Sequence, residues 1–527
     1  MIFKDTLDTF ITDINIDINH YKMNKISRFT SLAGLLFLTT VIFSGMPNTA
    51  VAQTNGWHAS TEDEERALFS EHFTAEEFAE RRAKVYDEIG ESAIAILQGA
   101  PSPQGYQHFR QNNEFYYLSG IESPDAYLIL NGNTRQAKVY LYDRKERREY
   151  GEGKILSYED VDLVKELSGI ELVGSYSDLT EDLDKFNESG EISTVYTPES
   201  PYEELGMTRS MAMRAQQDVD ENPLDSRPAR HQNFINELEK IVSNLELTNL
   251  DPIIDELRKI KSEKEIELIK RSTKLQAEAI MEAMRSTEVG VKPYQLEAAA
   301  KYIYWNHNVQ GDAYYALIHF GPDAYMNHYH GSVRAAKDGD MILMDYGAYD
   351  RYYSSDLGRM WPVNGTFNEV QTELYTFYKG IYEAILYNIK IGLIPQEVMQ
   401  NAIEEMDIIL DETDFSKPLF EQAAHDFVDS YRQRAQSGRM TLGHGVGMSV
   451  HDVGNYSGPI EAGMVFVIEP QFRVPEEKIY IRMEDMIIVT EDGVEVYSDF
   501  LPREIEQIEA LMQEEGLLQK HPVSIDQ

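Results

Sequence analysis

The chain has 527 residues, no cysteine, and 90 acidic against 48 basic side chains, a formal charge of −42. That length holds two ordinary domains, and the lack of thiols excludes disulfides, thiolate nucleophiles and zinc–thiolate sites. The charge repels nucleic acid and anionic lipid, so neither is expected as a partner.

Residues 1–22, MIFKDTLDTFITDINIDINHYK, are acidic and polar, which is wrong for the start of a targeting signal. The next thirty residues suit one. Lys25 and Arg28 form a basic patch, Phe29 to Phe43 is largely apolar, and Ala50-Val51-Ala52 supplies a small-x-small cleavage pattern before Gln53. The expectation is an upstream extension over 1–22, a signal peptide over 23–52, and translation from Met23 rather than Met1. The protein would then be exported, periplasmic or secreted. The apolar stretch is short of the ~20 residues a spanning helix needs.

From about 61 to 247 strand and helix patterns alternate, which predicts a small α/β domain. FTAEEFAERRAKVYDEIG has helical spacing, with Thr74 as N-cap and Gly90 as stop. SAIAIL, EFYYLSGI, DAYLIL and AKVYLYDR are β-type runs between turn residues. Pro198 to Arg230 is rich in Pro, Ser, Asp and Arg and reads as a long loop or insertion.

An amphipathic, charged helix from about Ile253 to Ser286, broken near Ser262, marks the start of a second domain over 250–515, with 516–527 as a tail. Such helices usually just pack on a sheet, so no catalytic role is expected of it. PYQLEAAAKYIYWNHN predicts a second helix, Asn368 to Gly438 two or three more, and Pro502 to Glu515 a last one. Helices around a curved, mostly antiparallel sheet make the fold class α+β.

Five segments of this half, MILMDYGAY, SSDLGRMW, LGHGVGM, FVIEPQF and IRMEDMIIV, carry Asp345, Asp356, His444, Glu469 and Glu484. Apolar runs bury their acids, and an unpaired buried carboxylate costs several kcal/mol. Four such charges in one pocket would repel, whereas two divalent ions would balance them. The five residues therefore read as a cage for two divalent metals. DGDMILMDYGAY and YYSSDLGRMWPV flank a short connection at Tyr349 to Arg351, which predicts a β-hairpin bringing Asp345 and Asp356 into one cleft. Glycines around His444 give its ring room, Pro470 fixes the backbone after Glu469, and Arg482 stands where it can orient a neighbouring carboxylate.

This ordered set, each residue in its motif, resembles the pita-bread metallopeptidases and in particular the Xaa-Pro aminopeptidases. FRQNNEFYYLSGIESPDAYLIL is similar to the non-catalytic domain of bacterial proline aminopeptidases, and IKSEKEIELIKRS to the helix opening their catalytic domain. Methionine aminopeptidases share the ligand set but typically lack that N-terminal domain. The resemblance implies a pita-bread catalytic domain behind a smaller aminopeptidase P-type domain, and hydrolysis of the bond before a proline at the second position.

The resemblance also implies roles: Asp345 on one metal, His444 and Glu469 on the other, Asp356 and Glu484 bridging both. A water shared by the ions would be the nucleophile, with Glu469 as proton shuttle. Oxygen-rich coordination with one imidazole suits manganese, with cobalt, zinc or iron able to substitute. His328 and His451 fall where the family contacts substrate, with His330 a close competitor to His328. Met440 is a departure, since many bacterial members have a histidine four residues before the metal histidine. A homodimer or tetramer is expected, with the N-terminal domain, its own or a neighbouring subunit's, blocking the amino-terminal side of the cleft. Prolidase is the nearest alternative, taking only dipeptides. A non-catalytic pita-bread binding protein and a metal-free creatinase-like amidinohydrolase are disfavoured by the intact set of five.

Overall fold

The computed structural model describes residues 72–522 apart from 226 and 439. The expected upstream extension and signal peptide lie outside the described residues, as does the end of the tail. Thr74 caps the helix Ala75–Ile89 by accepting from Glu77 N, and Gly90, at φ 77°, ends it.

A mixed six-stranded sheet comes next, in the order β4-β3-β2-β1-β5-β6. Its strands are β1 (Ala93–Gln98), β2 (Tyr127–Asn131), β3 (Gln136–Leu141), β4 (Leu172–Ser175), β5 (Thr194–Thr197) and β6 (Glu246–Asn249). The pairs β1–β2 and β2–β3 are antiparallel and the remaining three parallel. Alternation divides the faces. Ile94, Ile96 and Ile129 pack with Leu183 and Leu238 of two covering helices, while Ala95, Leu97, Leu128 and Leu130 join Phe78 and Val85 on the other side.

One expectation fails in this half and another is refined. EFYYLSGI is not a strand but belongs to the helix Asn113–Ser119, because Asn112 caps it, accepting from Glu114 N at 3.1 Å, and Gly120 closes it in the left-handed region. All seven helical residues are buried, so neither periodicity could show in the sequence. The Pro198–Arg230 stretch is not simply a loop, since it holds the helix Arg209–Asp220, capped by Thr208.

The long charged helix is two helices, Asp251–Lys259 and Glu263–Arg285. The break falls at Ser262, which forms a capping box with Glu265. Beyond the helix Pro293–Asn306 come β7 (Gly311–Asp312), β8 (Leu317–Phe320), β9 (Met341–Asp345), β10 (Ala348–Asp350), β11 (Tyr353–Ser354) and β12 (Gly358–Pro362). Three helices, Glu369–Tyr387, Pro395–Glu412 and Pro418–Gln436, precede β13 (Val465–Ile468), β14 (Phe472–Val474), β15 (Ile479–Ile481), β16 (Asp485–Thr490) and β17 (Gly493–Val496). Every strand pair here is antiparallel. The bridges Gly358↔Glu484 and Gly445↔Phe466 stitch the small sheets together. The last helix is shorter than expected, Ile505–Leu511, with a separate turn at Leu517–Lys520.

The hairpin turns at Arg351 and Tyr352, both at positive φ, one residue later than the spacing suggested. It is also interrupted. Asp345 pairs with Gly358, not with Asp356, because the β9–β12 ladder stops there and the tip re-pairs as β10–β11.

Candidate metal centre

The interrupted hairpin sets the site. Asp345 ends β9 and Asp356 lies in the irregular stretch before β12, so both carboxylates leave the ladder at the same level. Tyr314 joins them, its hydroxyl lying 2.5 Å from Asp345 Oδ1 and 2.5 Å from Asp356 Oδ1. One phenolic proton serves only one acceptor at a time, so this residue couples the two acids.

Glu484 reaches the pair through Gly358. Its backbone N–H donates to Gly358 O at 3.0 Å, and a Cβ at Gly358 would stand 2.9 Å from Glu484 Oε2. On the opposite side Val467 N donates to His444 O at 3.1 Å, holding the histidine loop beside β13, whose end delivers Glu469. His444 Nε2 then stands 3.4 Å from Asp356 Oδ2 and 3.7 Å from Glu469 Oε1. Ligand atoms of Asp356, His444 and Glu484 all lie within 4.8 Å of one another.

Arg482 closes the ring. Its guanidinium contacts Asp345, donates to Glu469 Oε2 at 2.8 Å and lies 3.3 Å from Glu484 Oε2. It is the one cationic side chain paired with these acids among the described residues, so four carboxylates face one guanidinium. The imidazoles do not compensate: burial pushes His444 down to about 4, and desolvation and then His444 lower His451 although that residue is exposed. His444 Nδ1 lies 3.2 Å from Gly445 O, which puts the ring proton there and leaves the Nε2 lone pair toward the carboxylates.

The acids respond to this imbalance. Burial and then Glu484 raise Asp356 well above its ordinary value and push Glu469 up to about 8, and burial outweighs Arg482 to raise Glu484. Glu484 Oε2 is buried without a well-formed hydrogen bond. An oxygen-rich set with one neutral imidazole and an excess of negative charge fits divalent cations.

The His451 ring lies against that of His444, centroids 3.8 Å apart and tilted by 32°. His328 lies at the exposed rim, where desolvation and then the Arg482 charge hold its imidazole below the ordinary value. Its competitor His330 is engaged elsewhere, against Tyr315 at 3.2 Å. Met440 is buried in the core. Tyr314 had no sequence signal: nothing in DAYYAL marks one tyrosine as facing two acids that arrive from later strands.

Comparison with known proteins gives two family matches, "Metallopeptidase family M24" over residues 267–491 and "Aminopeptidase P, N-terminal domain" over 78–196. The Xaa-Pro aminopeptidase of Escherichia coli is 27% identical over 464 residues, covering 83% of this chain and 97% of that one. The Xaa-Pro dipeptidase of Pyrococcus horikoshii is 28% identical over 318 residues, covering 58% of this chain and 83% of that one. Among solved structures, a variant E. coli aminopeptidase P in complex with substrate is 25% identical with TM-score 0.66, covering 84% of this chain and 98% of that one. A zinc-substituted E. coli aminopeptidase P in complex with product matches equally, at 25% and 0.66 over the same shares.

Proposed function

From the premise that the chain belongs to metallopeptidase family M24, behind an aminopeptidase P N-terminal domain, we propose that it is a metal-dependent aminopeptidase that removes the residue before a proline at the second position. The observation that carries this reading is the convergence of Asp345, Asp356, His444, Glu469 and Glu484 in a chain that also has that N-terminal domain. We assign 61–247 to the N-terminal domain and 250–515 to the catalytic one.

The site would hold two divalent ions, manganese first among the candidates. Asp345 would serve one, His444 and Glu469 the other, and Asp356 and Glu484 both. When bound, the ions supply the Lewis acidity that activates water and polarises the scissile carbonyl.

Around them the side chains have distinct tasks. Arg482 holds Asp345 and Glu469 in place, and Tyr314 fixes the separation of the two aspartates. Glu469 takes a proton from water as oxygen attacks the carbonyl carbon, and returns it to the proline nitrogen as the C–N bond breaks. Like any amide nitrogen, this one must gain a proton to leave as an amine, so the delivery completes the step. The neutral imidazoles of His451 and His328 can donate to the carbonyl oxygen as negative charge builds there.

Export by the 23–52 signal and assembly as a dimer or tetramer complete the proposal. Likeness to the P. horikoshii dipeptidase supports a second reading, a prolidase. Assays of Xaa-Pro and Xaa-Pro-Xaa peptides separate the two, since activity on dipeptides alone contradicts the aminopeptidase.

A further inference from the structure

Among the described residues, His451 makes no side-chain hydrogen bond and its ring only lies tilted against that of His444, yet residues close on either side of it are tied into buried polar networks. Ser449, two residues earlier, donates to Glu203 Oε2 at 2.5 Å and accepts from Asn113 Nδ2 at 3.1 Å. Asp452, the next residue, receives Arg258 Nη2 on Oδ1 at 2.5 Å and has Lys261 Nζ 3.2 Å from Oδ2. Its backbone N–H donates to Gly445 O at 2.8 Å, and a Cβ on Gly447 would come within 2.1 Å of its carboxylate, so the loop folds tightly over this one side chain.

The anchors come from outside the catalytic strands. Asn113 and Glu114 lie in the stretch matched by the aminopeptidase P N-terminal domain, and Glu203 in the segment just after it. Arg258 Nη1 donates to Glu114 Oε1 at 2.8 Å, and Arg209 binds both Glu114, at 2.9 Å, and Glu203, at 3.3 Å. The two arms therefore form one network. Arg258, Lys261 and Asp452 each have side chains only 1% exposed.

Such burial is hard to explain by stability. Charges taken out of water repay their desolvation only with full pairing, and well-packed apolar residues of similar volume often do as well. What a satisfied ionic network supplies and an apolar patch does not is a single fixed geometry. The object so fixed here is a loop holding both His444 and His451.

We propose that Ser449 and Asp452, held by Asn113–Glu203 and by Arg258–Lys261, are positioning residues that set the His451 imidazole for the substrate. The N-terminal domain thereby takes part in hydrolysis through His451 and is more than a wall beside the cleft. This inference rests on the function proposed above.

The test is a double-mutant cycle on an Xaa-Pro-Xaa substrate, with manganese affinity of the apo-enzyme measured by calorimetry alongside. Asp452→Asn is expected to lower kcat about 30-fold with little change in KM, but less than about 3-fold once His451 is already alanine. Its manganese affinity should stay within about 3-fold of wild type, because His451 is not a ligand and His444, in the same loop, is tied separately to β13 through Val467 N–H. Equal losses in both backgrounds, or a loss of metal affinity matching the loss of kcat, overturn the proposal. Ser449→Ala removes only a hydroxyl and decides by the same cycle if Asp452→Asn does not fold. A wild-type enzyme that fails to cut Xaa-Pro bonds refutes the assigned reaction, whereas additive losses refute the positioning alone.

Discussion

His444 Nε2 stands 3.4 Å from Asp356 Oδ2, across an interval of sequence that contains three long helices. A neutral imidazole beside a carboxylate whose acidity burial has suppressed is an arrangement that a cation, and little else, would draw into use. Asp356→Ala or Glu484→Ala should therefore lower kcat by more than about 100-fold, with bound metal reduced in parallel. Full activity in either variant with metal still bound contradicts the assigned site.

Tyr314 tests the coupling of the two aspartates. Tyr314→Phe deletes the hydroxyl that both carboxylates contact and leaves the ring in place. Groups that orient metal ligands typically contribute about 10- to 100-fold, so kcat should fall by a factor in that range. An unchanged kcat and an unchanged manganese affinity would show that the carboxylates need no such tie.

The Arg258–Asp452 pair has a pH signature in stability. Burial alone would raise the Asp452 carboxyl, but Arg258 and then Lys261 hold it below the ordinary value. A depressed folded pKa adds stability that is present above the unfolded value of about 3.9 and is lost as pH falls through the lower folded one. Asp452→Asn should cost about 3–5 kcal/mol at neutral pH, since it takes the shared carboxylate from two buried cations and leaves Arg258 to Glu114 and Lys261 to the Tyr456 hydroxyl. Urea unfolding of both proteins should show that gap narrowing in acid. A gap that stays constant down to the acid range would contradict the assignment.

N-terminal sequencing of exported protein should begin at Gln53 or a close neighbour. Mature protein that starts at Met1 or Met23 would contradict cleavage there.

What could be read from the sequence depended on whether the signal was local. The first helix carries its own cap and stop in Thr74 and Gly90, and Ser262 with Glu265 marks the helix break, so both boundaries stand near where the spacing puts them. EFYYLSGI misled because complete burial erases the periodicity that separates helix from strand. Within the site, the acids could be picked out because each interrupts an apolar run. Tyr314 and the threefold reach of Arg482 were hidden, since their meaning arises only when β9, β13 and β16 converge. The network around Asp452 was equally invisible, as its partners come from the N-terminal half of the chain.

The assigned reaction is tested most directly by a substrate-length profile of metal-stripped protein, with and without added manganese. The expected result is release of the first residue from Xaa-Pro-Xaa and longer peptides only when metal is restored, and no cleavage of matched peptides lacking proline at the second position. Turnover of Xaa-Pro dipeptides alone, or undiminished turnover without metal, would contradict it.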